Sequence, residues 1–323
     1  MIPAPDDTSR EPAWWTRPWE GMRWLVIVAG VGFAVHIIIP QVGELEQAST
    51  TLRQGNWSWL AVAAAASALT YPASALGIMG SVPRQLPLGA TTAVQLAASA
   101  TTLAAPAGLG AVALNQRYLE QQGVPRPAAI TGLGLNVAVA AVFHVVAMAA
   151  TAAVLGATLP DTVQLPPRRY LVDGAVVAAI ASGAALWARP VRRHVLQPIR
   201  AALGVLPALL RDKTRSVQLI GSTFLVNAAY VAALQAAAAS FGPAPGLAHT
   251  ALIYLVAAVV GTITPTPGGL GGYEAALVAG LTRIGPAAGQ AVAAALTFRL
   301  LTFWLPILPG LVALRSLRRN QRI

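Results

Sequence analysis

The stretch Thr264-Pro265-Thr266-Pro267-Gly268-Gly269-Leu270-Gly271-Gly272 cuts an apolar run that extends from Leu247 to Leu281. Proline cannot continue a helix, and glycine takes backbone shapes closed to other residues, so the run is not one helix. A break of this kind at membrane depth is tolerated only where it is buried in protein or lines a wet cavity. A second break, Ala104-Ala105-Pro106-Ala107-Gly108-Leu109-Gly110, lies inside the apolar segment Leu88–Tyr118. The two match: Pro106–Gly110 aligns with Pro267–Gly271, and Pro127-Ala128-Ala129 with Pro286-Ala287-Ala288 at an offset two residues smaller.

Around these breaks lie uninterrupted apolar runs. They predict spans over about Trp24–Pro40, Trp57–Gly80 (with Pro72 as a kink), Ala128–Ala157, Tyr170–Trp187, Val217–Phe241 and Ala287–Leu314. Of the 323 residues, 56% are hydrophobic and only 10% charged, and the mean hydropathy is +0.62. A soluble domain carries about 25% charged residues, so a water-soluble enzyme and a disordered chain are both excluded. The fold class is therefore an all-α polytopic membrane protein. Long apolar runs do not fit a barrel, whose strands alternate. The absence of cysteine excludes thiolate chemistry, and four scattered histidines show no metal-ligand spacing. No phosphate-binding nucleotide loop is present, which argues against direct ATP drive. No catalytic set, metal or cofactor is expected, and no soluble domain is left to bind nucleic acid.

The net charge of +11 orients the spans. Residues 1–23 form a polar arm with Arg10, Arg17 and Arg23 and with Trp14, Trp15 and Trp19, and Trp24 opens the first span. Arg189–Arg215 holds seven basic residues and one acid, and the tail ends in Arg315, Arg318, Arg319 and Arg322. All three read as cytoplasmic, with the basic loop 189–215 on anionic lipid. Counting spans from these anchors, Leu88–Tyr118 begins and ends inside and Leu247–Leu281 begins and ends outside. Both broken segments are then re-entrant hairpins, entering from opposite faces. Six full spans plus two hairpins make an inverted-topology repeat within a single domain, 24–323. The first copy covers about 57–157 and the second about 217–314. Broken helices in corresponding halves of such repeats mark a substrate site near the midplane.

The run TPTPGGLGGYEAALVAGLTRIG (Thr264–Gly285), followed by FRLLTFWLPILPG (Phe298–Gly310), resembles the lysylphosphatidylglycerol synthase transmembrane family. PAGLGAVALNQRYL (Pro106–Leu119) is similar to the family's first glycine motif, without the glutamate that often follows those glycines. That family includes the flippase half of the multiple peptide resistance factor and stand-alone flippase-like proteins. The resemblance implies translocation of a lipid or lipid-linked substrate. Its synthases add a soluble aminoacyl-transferase domain, and nothing in this sequence corresponds to one.

The candidate substrate-binding residues follow from the breaks. They are Thr264, Thr266, Gly268, Gly269 and Gly271 in the outer hairpin, and Gly108 and Gly110 in the inner one. A helix restarting at Gly271 or Gly110 offers free N–H groups and a positive dipole end to a phosphate; equally, these glycines let the hairpins pack closely. Glu274, in the first turn after the outer break, either complements the helix dipole or serves as an intramembrane carboxylate. Arg299 lies about twelve residues into a span that needs about 20. A mid-membrane arginine is almost always paired or faces a cavity, and it can hold a phosphate bidentately. Glu274 and Arg299 are expected to meet. Arg117 carries less weight, since it can snorkel to the surface. His36, His144, Asn136, Asn227 and Gln235 read as interhelical hydrogen-bonders.

Two functions remain open. One is an ATP-independent transporter of a membrane phospholipid, an aminoacylated phospholipid or a polyprenyl-phosphate-linked substrate, located in the plasma membrane. The other is a non-transporting membrane partner of a separate lipid-modifying enzyme or glycosyltransferase. A homo-oligomer fits either.

Overall fold

A computed structural model describes residues 55–102, 109–158, 212–264, 266–284 and 287–319. Among these residues every regular element is helical. The helices are α1 (Trp57–Ser81), α2 (Leu88–Thr101), α3 (Leu109–Gln121), α4 (Arg126–Thr158), α5 (Lys213–Ala239), α6 (Leu247–Ile263), α7 (Gly272–Thr282), α8 (Ala288–Arg299) and α9 (Ile307–Arg319). A short 3-10 turn, Pro267–Gly269, lies between α6 and α7, and a π-turn, Leu300–Trp304, joins α8 to α9.

Four helical stretches are long and apolar enough to cross a membrane: Trp57–Ser81, Arg126–Gly156, Lys213–Ala239 and Ala288–Arg319. They coincide with four of the six expected spans. The other two, Trp24–Pro40 and Tyr170–Trp187, fall outside the described residues, as do the arm 1–23 and the basic loop up to residue 211. Helix α1 continues through Pro72. Asn56 caps it by accepting from the Ser58 N–H at 3.0 Å, and Asp212 caps α5 from the Arg215 N–H at 3.3 Å.

The two broken segments are each a pair of short helices. With 14 and 13 residues, α2 and α3 rise about 21 and 20 Å. With 17 and 11 residues, α6 and α7 rise about 26 and 17 Å. None reaches the roughly 30 Å of a hydrocarbon core.

The packing repeats. In the first half α1 packs on α2, α2 on α3, α3 on α4, and α1 on α4; in the second, α5 packs on α6, α6 on α7, α7 on α8, and α5 on α8. The halves also cross: α2 packs on α9, and α6 on α4. Their leading helices, α1 and α5, form the most extensive pair and run antiparallel. At one end the Asn56 N–H donates to the Ser240 carbonyl at 2.9 Å. At the other, Gly80 lies so close that an added Cβ would sit 2.7 Å from the Leu219 backbone nitrogen. Small residues (Gly77, Gly80, Ser222, Ala229, Ala233) make this approach possible, because lipid offers no hydrophobic drive and close backbone packing must supply the attraction.

Each half has its own apolar core. One joins α5–α8 around Leu234, Leu277 and Phe298; the other joins α1–α4 around Val94, Tyr118 and Leu119, with Leu317 of α9 added. The second core lies toward the end where the chain is basic. Arg84, Arg117, Arg126, Lys213, Arg215, Arg315, Arg318 and Arg319 sit on the loops and helix ends that meet there, with Arg84 resting on Gly123. Among the described residues the opposite end carries one arginine, Arg283.

Candidate functional site

The short helices end level with the middle of α1 and α5, where a cavity of about 480 Å³ opens. Its walls come from both halves. Thr70, Tyr71 and Ser74 of α1, Gln95 and Ser99 of α2 and Thr102 just after it face Tyr230 of α5, Tyr254 and Thr262 of α6 and Thr264 just after it. Thr266, Gly268 and Gly269 of the outer break, Tyr273 of α7, Arg299 of α8, and Thr302 and Phe303 of the π-turn complete it.

The outer break takes its shape from two glycines. Gly268 has φ +67° and Gly269 φ +67°, the left-handed region that other residues avoid. Both are also crowded: an added Cβ would lie 2.3 Å from the Phe303 ring at Gly268 and 2.5 Å from the Gly261 carbonyl at Gly269. The Thr266 hydroxyl donates to the Leu270 carbonyl at 2.8 Å and closes the turn.

Arg299 is 6% exposed. Its Nε donates to Glu274 Oε1, and its Nη2 donates to the Gly268 carbonyl at 3.0 Å. The guanidinium lies between two rings, 4.7 Å from the centre of Tyr273 and 4.3 Å from that of Phe303. Glu274 Oε2 accepts the Gly271 N–H at 2.7 Å. One carboxylate thus joins the start of α7 to α8, while the arginine holds the carbonyl of the break. This arrangement satisfies a buried ion pair, which is otherwise costly in low dielectric.

A family model described as the lysylphosphatidylglycerol synthase transmembrane region matches residues 24–310. The chain belongs to this family. No curated protein matches it. The matched range of this lysylphosphatidylglycerol synthase transmembrane-region protein contains every residue that lines the cavity. The resemblance drawn from Thr264–Gly285 and Phe298–Gly310 thus extends across most of the chain.

The structure sorts the expected site residues. Thr264, Thr266, Gly268, Gly269 and Arg299 line the cavity, and Glu274 meets Arg299 as expected. Gly271 is buried behind the wall, and its N–H is taken by Glu274, so the start of α7 does not present that group to a phosphate. Arg299 spends its Nε–H and one Nη2 N–H within the protein, which leaves three guanidinium N–H groups on Nη1 and Nη2. Gly110 packs against the Thr101 carbonyl, where a Cβ would come within 2.7 Å, and serves close approach rather than ligand contact. Arg117 is exposed on α3, away from the cavity, and Gly108 lies outside the described residues. His144 bonds the Leu255 carbonyl at 2.9 Å, Asn227 accepts from the Tyr254 hydroxyl, and Gln235 donates to the Pro245 carbonyl. These bonds fit the packing roles expected of all three residues.

Sequence reasoning missed the tyrosines. Tyr71, Tyr230, Tyr254 and Tyr273 supply most of the aromatic wall. A signal was present: interfacial tyrosines belong at span ends, whereas Tyr71 and Tyr230 lie well inside α1 and α5.

Proposed function

We propose that this protein is an ATP-independent translocase for a membrane lipid or lipid-linked substrate. The headgroup is held in the cavity between the two broken segments while the acyl or prenyl chains stay in the bilayer. Its cavity supports this reading: it carries eight serine and threonine side chains, lies beside the middle of α1 and α5, and is walled by both halves of the bundle, whose leading helices are antiparallel. Short helices that stop at the cavity fit re-entrant hairpins entering from opposite faces. The basic end of the bundle supports reading that end as the cytoplasmic one, in a plasma membrane with both termini inside. A dry, closely packed contact between the hairpins would have favoured the non-transporting partner instead.

Reconstitution of the purified chain into liposomes with headgroup-labelled lipids tests the reading. Transfer between leaflets should exceed that of protein-free liposomes for at least one headgroup class, and transfer no faster than empty liposomes for every class would refute it.

A further inference from the structure

The chemistry of the cavity wall goes further than its position. Eight serine and threonine side chains line it. Seven have already spent their proton on the protein's own carbonyls: Thr70 on Ser67, Ser99 on Leu96 and Pro306, Thr102 on Ala98, Thr262 on Ala258, Thr264 on Val260, Thr266 on Leu270 and Thr302 on Phe298. A hydroxyl bonded back in this way keeps only lone pairs to offer. Gln95 donates one amide N–H to Asn115 at 2.7 Å and keeps its carbonyl oxygen as a further acceptor of the wall. The wall therefore holds a surplus of acceptors, interleaved with the rings of Tyr71, Tyr230, Tyr273 and Phe303.

Charge narrows the ligand class. Arg299 is the one ionised residue of the wall among the described residues, and Glu274 already neutralises it. A bare phosphate, which only accepts, would find most of the wall's polar atoms to be acceptors, with the unspent Arg299 N–H groups as its main donors. An ammonium would find acceptors and rings but no carboxylate, because both oxygens of Glu274 are engaged. Either charge would be buried without a counter-ion, at heavy cost. A neutral polyhydroxyl group meets neither obstacle. Its O–H groups donate to the lone pairs of the wall, its oxygens accept from the remaining Arg299 N–H groups, and its C–H faces lie on the rings. At about 480 Å³ the cavity falls in the roughly 300–1,000 Å³ range of small-molecule sites.

Resting on the translocase reading, we infer that the headgroup recognised here is a neutral, hydroxyl-rich one, a sugar or similar polyol. Such a ring can be carried by a diacylglycerol or by a polyprenyl phosphate; the shared chemistry is the ring.

Native mass spectrometry of the full chain in detergent separates binding from transport. The probes are glucosyl-diacylglycerol, polyprenyl-phosphate glucose, phosphatidylglycerol and lysyl-phosphatidylglycerol. Both glucosyl lipids should be retained at least about tenfold better than the two phosphatidylglycerols. Tyr71→Leu should lower glucosyl-lipid retention by about tenfold. Tyr71→Phe, which keeps the ring, should cost less and guards against a folding defect in the leucine variant. Equal or better retention of phosphatidylglycerol or its lysyl ester, or no retention of any glucosyl lipid, overturns the inference. The failures are distinguishable: glucosyl-lipid binding without leaflet transfer refutes the translocase, whereas transfer of phosphatidylglycerols alone refutes only the headgroup class.

Discussion

Replacing Glu274 by glutamine removes the one carboxylate paired with Arg299 and tests the logic of the site. In the wild type, one oxygen of Glu274 takes the Arg299 Nε and the other takes the Gly271 N–H. Glutamine has a single acceptor oxygen. Whichever donor it serves, its amide then faces the other donor, and one buried donor is left unsatisfied at about 1–3 kcal/mol. Arg299, at 8% side-chain exposure, also loses its counter-charge. Breaking a buried pair in this way costs about 3–5 kcal/mol, less whatever the flanking rings of Tyr273 and Phe303 retain. Arg299→Gln should cost a similar amount. The double variant buries no unpaired charge and should recover by a coupling of about 1–3 kcal/mol. Thermal unfolding of all four proteins in one detergent measures the cycle. Strictly additive losses would refute the pairing. The double variant should fold and yet fail to move lipid, because Arg299 also shapes the break through Gly268; full activity would show that the pair is only structural.

Three further outcomes are expected. Gly268→Ala forces a left-handed φ on a side chain and drives its Cβ into Phe303, so it should lose about 1–3 kcal/mol and most transport; wild-type behaviour in liposomes would show that the break does not shape the site. Gly80→Ala should destabilise by about 1–3 kcal/mol, because its Cβ meets the backbone of α5, whereas Gly221→Ala, with open space around it, should be neutral or gain up to about 1 kcal/mol; equal effects in thermal unfolding would contradict the α1–α5 contact. The wild type has no cysteine, so an impermeant maleimide should label Arg283→Cys from outside the cell and Gln121→Cys only after permeabilisation; labelling of both from one face would end the inverted-topology reading.

How much of this was legible in the chain depended on which physical signal each part used. The spans were legible because apolar length is a one-dimensional property: Trp57–Gly80 and Ala128–Ala157 fall within two residues of α1 and α4. The breaks were legible because proline and glycine act locally. The Glu274–Arg299 pair was legible because buried charges of opposite sign at similar depth have few alternatives. The tyrosine wall was only half legible: Tyr71 and Tyr230 stand out by lying far from the span ends, but the direction they face does not. Lipid and protein interior are both apolar, so the sequence of a span does not reveal which of its faces turns inward, and Tyr71 could not be assigned to the cavity without its neighbours. Nor did the sequence reveal that the hydroxyl protons were spent, since that depends on where each hydroxyl points: back to an i−3 or i−4 carbonyl for most, across the turn to Leu270 for Thr266.

The π-turn at Leu300–Trp304 has a wider consequence. Pro306 has no N–H to return to the preceding turn; the Leu305 N–H reaches back to Leu300 at 2.8 Å, and the Leu301 carbonyl is taken by the Ser67 hydroxyl. Each residue of a helix advances its direction by about 100°, so one residue more in this turn resets the bearing of everything after it. The N-terminal portion aims Arg299 at the cavity, and the C-terminal portion aims the bare side of Gly310 at the Leu96 carbonyl, where a Cβ would come within 2.5 Å. One rod thus serves two clients on different compass headings. Deleting Trp304, which does not line the cavity, would act as a rotation more than a shortening. It would swing Gly310 away from α2 and unseat the contact between the two halves while every side chain of the site remained in the sequence.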